Sequence, residues 1–264
     1  SNNVSSNENK NIVSIEEEEE INDLVLLKDI TLKIKKKEHV GIIGDVGSGK
    51  SCLLNAMINN LKILNKKGRG NIKLSNKISM VSQTPWILNS TVEENIILFN
   101  QQDEEKYTKV ITACQLDIDL LNLPNGDKTE IGEKGVNLSG GQKVRISIAR
   151  AIYNDAEIYI FDDPLSALDA YVGMNLFKEV FMEYLKDKTI IISTHALQYL
   201  NFFDNIIYMN QGRIEWTGPY SEVVKQKFYK NILHSTCKST NSGVKLNNET
   251  NLVNKIQDNY NQYT

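Results

Sequence analysis

Residues 39–61 read HVGIIGDVGSGKSCLLNAMINNL, and no other stretch limits the fold so tightly. A short apolar run of strand length leads straight into Gly44-Asp45-Val46-Gly47-Ser48-Gly49-Lys50-Ser51, and helical periodicity resumes at Cys52. Glycines at the first, fourth and sixth positions let the backbone wrap an anion without Cβ clashes, so successive N–H groups point inward. The N-terminus of the following helix adds partial positive charge. The spacing G-x-x-x-x-G-K-[ST], between a strand and a helix, predicts a phosphate cradle formed by residues 44–52. In it Lys50 reaches the outer phosphates of a nucleotide, and Ser51 offers its hydroxyl to Mg²⁺.

The rest of the chain alternates in the same way. The apolar runs of HVGIIG, KISMVSQ, EIYIFDD, KTIIISTH and NIIYMN are nearly continuous, as in strands buried on both faces. Between them lie KSCLLNAMINNL, a long mostly helical block near 91–155, and AYVGMNLFKEVFMEYLKD. The predicted fold is α/β with a largely parallel core sheet. Little strand signal occurs between Gln83 and Tyr153, so residues 84–152 read as a helical insert between core segments 24–83 and 153–234. Residues 1–23, with Glu at 16–20, read as a solvated arm, and 235–264 as a polar linker.

Composition removes several function classes. A net charge of −3 without a basic stripe argues against nucleic acid as a partner. Cys52, Cys114 and Cys237 are widely spaced and form no metal-ligand pair, so they read as reduced thiols. No apolar run approaches the ~18 residues that cross a bilayer, and the N-terminus is too polar for a signal peptide. Membrane spans, if the protein works at a membrane, must come from other segments or chains.

The run IYIFDD ends a strand in two adjacent carboxylates. Asp162, at the strand end, suits a Mg²⁺ ligand, direct or through water. Leu138-Ser139-Gly140-Gly141-Gln142 opens an amphipathic helix, and its hydroxyl and free N–H groups make a second anion site. One domain has no obvious use for two such sites on one nucleotide. Two domains facing head to tail do.

Together these features resemble the nucleotide-binding domain of ABC transporters, over most of residues 25–230. The resemblance implies a P-loop NTPase (RecA-like) core, an antiparallel β subdomain and an inserted α-helical subdomain, with ATP and Mg²⁺ as ligands. It implies a head-to-tail dimer, in which signature residues 138–142 close over ATP held by a second nucleotide-binding domain. The transmembrane domains of the same transporter are then partners, and the domain lies on the cytoplasmic face of a membrane. Gln83 matches the glutamine that touches Mg²⁺ or water, Ser166 to Asp169 match the D-loop, and His195 matches the switch histidine at the γ-phosphate. A lone His after a strand is more often structural; its place in this ordered set reverses that expectation.

SQTPWILNSTVEENI, ACQL, LPNGDKTEIGEKGVNLSGGQK and DDPLSALDAYVG are similar to the first of the two nucleotide-binding domains in subfamily C. That subfamily is the multidrug-resistance-associated and cystic-fibrosis-channel group. There, the region equivalent to Trp86–Phe99 receives coupling helices of the membrane domains, which makes Leu98 and Phe99 candidate contacts.

Hydrolytic ABC domains normally carry Glu after the strand-end Asp. Here Asp163 stands in that place, as in first domains of subfamily C. Asp is one methylene shorter, and a displacement of ~1 Å in an aligned group costs ~10²-fold in rate. The catalytic set is Asp163, His195 and Gln83, the metal set Ser51, Gln83 and Asp162, and slow hydrolysis is expected. A regulatory ATP-binding module is the alternative, favoured by Asp163 and opposed by His195. ABC domains also stack adenine on an upstream aromatic, whereas residues 1–50 contain no Phe, Tyr or Trp. Either that aromatic lies before residue 1, or the stacking is absent and phosphate contacts are expected to dominate affinity.

Overall fold

The computed structural model describes residues 25–61, 72–73, 77–133 and 135–239, with backbone alone for 234–239. The predicted acidic arm and the linker beyond Ser239 lie outside these residues. The first elements are β1 (His39–Ile43), α1 (Lys50–Met57), β2 (Ile78–Val81), β3 (Ser90–Thr91) and α2 (Val92–Ile97). Next come α3 (Glu104–Ala113), α4 (Asp117–Asn122), β4 (Glu130–Ile131), α5 (Gly140–Tyr153), β5 (Ile158–Asp162) and α6 (Ala170–Leu176). The last are β6 (Thr189–Ser193), β7 (Asn205–Asn210), β8 (Arg213–Gly218), α7 (Tyr220–Val223) and α8 (Lys227–Ser239). A π-helix, Phe177–Tyr184, continues α6 directly.

The main sheet has the order β2-β5-β6-β1-β7-β8, parallel except for β8. Its apolar runs are continuous because both faces are covered. Successive side chains point to opposite faces. Val40, Ile42, Ile160 and Ile191 therefore meet Leu53 and Leu54 of α1 on one side. Phe161 and Ile192 meet Ile148 and Phe181 on the other.

Several boundaries differ from the sequence expectation, each for a local reason. The insert is not purely helical: β3 and β4 pair antiparallel, Ser90 with Ile131 and Thr91 with Glu130. Two residues are too few for a periodicity. β8 was not among the predicted strands, yet Ile214 and Trp216 alternate with exposed Arg213, Glu215 and Thr217. The β7–β8 turn places Gln211 and Gly212 at φ 47° and 76°, as a two-residue hairpin requires. The first helix ends at Met57, short of Leu61, with Asn59 at φ 60°. α8 crosses residue 234 and reaches Ser239, inside the segment expected to be linker. No Gly or Pro interrupts it there.

Candidate functional site

β1 delivers the chain into the phosphate loop at the carboxyl edge of the sheet. Gly47 and Gly49 take φ 81° and 103°, which a side chain would strain. A Cβ at Gly47 would meet nothing within 4 Å, so it is the backbone conformation and not crowding that favours glycine there. Asp45 and Val46 are exposed, while Ser51 and Cys52 are half-buried in the first turn of α1. The N–H groups of that turn have no intrahelical acceptor. Across the loop, Gly212 N–H of the hairpin turn donates to Ser48 O at 2.9 Å and braces it.

Lys50 is buried, and its Nζ donates to the carbonyls of Gly44 and Asp45, both at 2.9 Å. Two of its three ammonium protons are thereby placed. Burial lowers its pKa from the ordinary value, while the carboxylates of Asp163, Asp162 and Asp45, in that order, oppose the fall. Ser48 Oγ is buried without a partner. Glycines at positive φ, an orphaned hydroxyl and an enclosed lysine fit the terminal phosphates of a nucleotide.

Asp162 is buried at the end of β5, and half-buried Asp163 follows at φ 47°. Ser193, at the end of β6, touches both: its Oγ–H donates to Asp162 Oδ1 at 2.5 Å, and its Oγ accepts from Asp163 N at 3.1 Å. Gln83 and His195 are exposed, each two residues beyond the strand that leads to it. Thr194 N–H donates to Ile42 O at 3.0 Å and Ala196 N–H to Thr194 Oγ1, which fixes the backbone on both sides of His195. The neighbouring strands β2, β5, β6 and β1 therefore lead, in that order, to Gln83, the acid pair, His195 and the phosphate loop. Among the described residues, no three of His, Cys, Asp and Glu cluster as a metal site. Since Mg²⁺ bound with a nucleotide takes most of its oxygens from phosphates and water, Ser51 and Asp162 would suffice as the side chains that hold it.

The signature lies on α5. Ser139 Oγ accepts Gln142 N–H at 3.2 Å while Gln142 Oε1 accepts Ser139 N–H at 2.9 Å, a reciprocal cap. The cap uses the serine oxygen as acceptor and leaves its proton to donate. Gly140 and Gly141 N–H have no intrahelical acceptor, and Ser139 and Gly140 are exposed above buried Leu138. Gln142 Nε2 also donates to Asp119 Oδ1 at 2.9 Å, and Arg145 pairs with Asp119 at 2.8 Å. The D-loop joins the two regions. Ser166 Oγ–H donates to Asp163 O at 2.9 Å, and Gly141 lies against Leu168 and Ala167.

Residues 27–166 match the ABC transporter family. The chain belongs to that family. It is 48% identical over 203 residues to ABC transporter C family member 8 of Dictyostelium discoideum, covering 76% of the chain and 12% of that protein. It is 44% identical over 207 residues to ABC transporter C family member 9 of Arabidopsis thaliana, covering 78% of the chain and 14% of that protein. Multidrug resistance protein mrp-7 of Caenorhabditis elegans is 42% identical over 203 residues, 76% of the chain and 13% of that protein. The chain thus spans a small part of the length of these ABC transporter C relatives.

Two residues of this ABC transporter domain escape the sequence patterns. Arg150, at the far end of α5, lies 3.6 Å above the Trp86 ring and donates to Asn95 O, Asn95 Oδ1 and Trp86 O at 2.7, 3.0 and 3.1 Å. Asn95 is fully buried and also bonds Leu88 N, Leu88 O and Thr91 O. Burial pulls the Arg150 pKa down to about 10. The available signal was a charged residue on an otherwise apolar helix face, which requires a partner.

Proposed function

We propose that this chain is the ATP-binding, slowly hydrolysing domain of a membrane ABC transporter of subfamily C, most like the first of two such domains. It dimerises head to tail with a second nucleotide-binding domain, and the closed pair drives export of a substrate. The observation that carries this reading is the outward-facing cap of α5. Ser139 and the two glycines present anion donors on an element other than α1, which suits a nucleotide held by another domain.

At its own site, Lys50 and the loop N–H groups bind the outer phosphates. Ser51, Asp162 and Gln83 would hold a Mg²⁺ ion, which would screen phosphate charge and polarise the terminal phosphoryl group. Asp163 orients the attacking water and draws on its proton, and His195 contacts the γ-phosphate. The short reach of Asp163 also favours a second reading, a regulatory ATP-binding module with little turnover.

Membrane partners have a candidate seat beside Gln83. Phe99 is 95% exposed and Leu98 half-buried on the rim of a groove of about 340 Å³. Met80 and Val81 line it below, with Trp86 and Arg150 along one wall. An apolar rim with a cationic wall supports docking of a coupling segment from the transmembrane domains.

Calorimetric titration with MgATP tests the site. Lys50→Ala is expected to abolish most of the binding, because it removes the cation inside the loop. Unchanged affinity in that variant would remove the basis for the assignment.

A further inference from the structure

Ser193 has no exposed surface, and it closes the run Thr189-Ile190-Ile191-Ile192 with a small polar side chain. Packing alone favours another β-branched apolar residue there, since a buried hydroxyl is unfavourable unless it is bonded. In the sheet register it lies between Asp162 of β5 and Ile42 of β1. Both hydrogen bonds of its hydroxyl go to the acid pair: it donates to Asp162 Oδ1 at 2.5 Å and accepts from Asp163 N at 3.1 Å. The Asp163 N–H also donates to Ser193 O at 3.0 Å, so main chain and side chain of one residue hold it.

We infer that Ser193 is a positioning residue of the nucleotide site, acting on the metal through Asp162 and on the water-orienting carboxylate through the backbone of Asp163. The inference rests on the reading of Asp162 as a Mg²⁺-holding residue. With Oδ1 engaged by the hydroxyl, the carboxylate plane is fixed and Oδ2 is the oxygen left for the metal or its water. Outer partners of this kind orient a ligand before the ion arrives. The same hydroxyl holds the amide of Asp163 at φ 47°. A shift of Asp162 toward a metal is therefore transmitted to the start of the next residue.

The experiment uses the 264-residue chain with Mn²⁺ as the metal probe and a non-hydrolysable ATP analogue. Electron paramagnetic resonance gives Mn²⁺ affinity, and calorimetry in chelator gives metal-free nucleotide affinity. Ser193→Ala is expected to lower Mn²⁺ affinity ~10-fold while metal-free nucleotide affinity stays within about twofold. Ser193→Thr keeps the hydroxyl and is expected to retain Mn²⁺ affinity, whatever its added methyl does to melting temperature. Ser193→Cys, nearly isosteric but a weak donor, is expected to fall with Ala and carries the test if Ala does not fold. Unchanged Mn²⁺ affinity in folded Ser193→Ala or Ser193→Cys overturns the inference and leaves the ATP-site reading intact. So does an equal loss in Ser193→Thr, which would point to packing instead of the hydroxyl. A wild-type chain that binds no nucleotide overturns both.

Discussion

Asp163 sits at φ 47°, a region in which Asp is tolerated better than longer side chains because it can bond locally. Its backbone preference and its chemistry therefore pull in opposite directions, since Glu reaches further but fits this conformation less well. In a homodimer held closed by a cross-link, Asp163→Glu is expected to raise ATP hydrolysis ~10-fold or more, from a wild-type rate below the ~1–10³ s⁻¹ common for enzymes. ATP affinity should barely move, and the variant should melt slightly lower. Adding His195→Ala is expected to erase the gain. A brisk wild-type rate in a confirmed dimer, with no gain from Glu, would show that the shorter acid suffices. The places of Asp162, Lys50 and Ser139 at strand and helix ends were legible because each stands in a short string with a strand or a helix beside it. Ser193 was not, because its meaning depends on Asp162, 31 residues away, lying opposite it in the register.

Between elements, the node at Asn95 joins α2, α5 and the segment after Gln83 through Arg150 and Trp86. Asn95→Ala strands the Leu88 and Thr91 backbone groups and one guanidinium donor at a buried position, so a loss of about 3 kcal/mol is expected. Urea denaturation of both proteins measures it, and a change under about 1 kcal/mol would mean that water replaces the amide. The continuous apolar strands were readable because burial on both faces suppresses alternation. β8 showed the period-two alternation of a half-covered edge strand and could have been found by the same rule. The β3/β4 ladder and the π-helical turn could not. The former is too short for any pattern, and the latter carries the same residue spacing as an ordinary helix end. Thr91, by contrast, announces α2 in the sequence, since its reciprocal cap with Glu94 has the S/T-x-x-E form.

For the molecule as a whole, one expected contribution to acid sensitivity lies at the amino end of β1, at the opposite edge of the sheet from the phosphate loop. His39 is buried there, and its Nε2 has no partner. Burial lowers its pKa below 6.5, against the opposing pull of the Asp204 carboxylate and the carbonyls of Lys188, Leu185 and Lys186. The unfolded chain thus binds this proton more readily than the folded one. The contribution of His39 is expected to be fully present well above pH 6.5 and to be lost as pH drops from 6.5 toward the lowered folded value, by at most about 1.4 kcal/mol per unit. Urea midpoints at neutral and mildly acid pH should move apart less in His39→Val than in wild type. An equal shift in the two proteins would exonerate His39. At the other edge, the four neighbouring strand ends act as a ruler on which the site is marked out. Removing one residue inside β5 would draw Asp162 back by about 3.3 Å and turn its neighbour to the other face. That exceeds the methylene by which Asp differs from Glu. A letter such as Asp163 can change at its mark and leave the spacing intact, whereas the distances between the marks admit no such gradation.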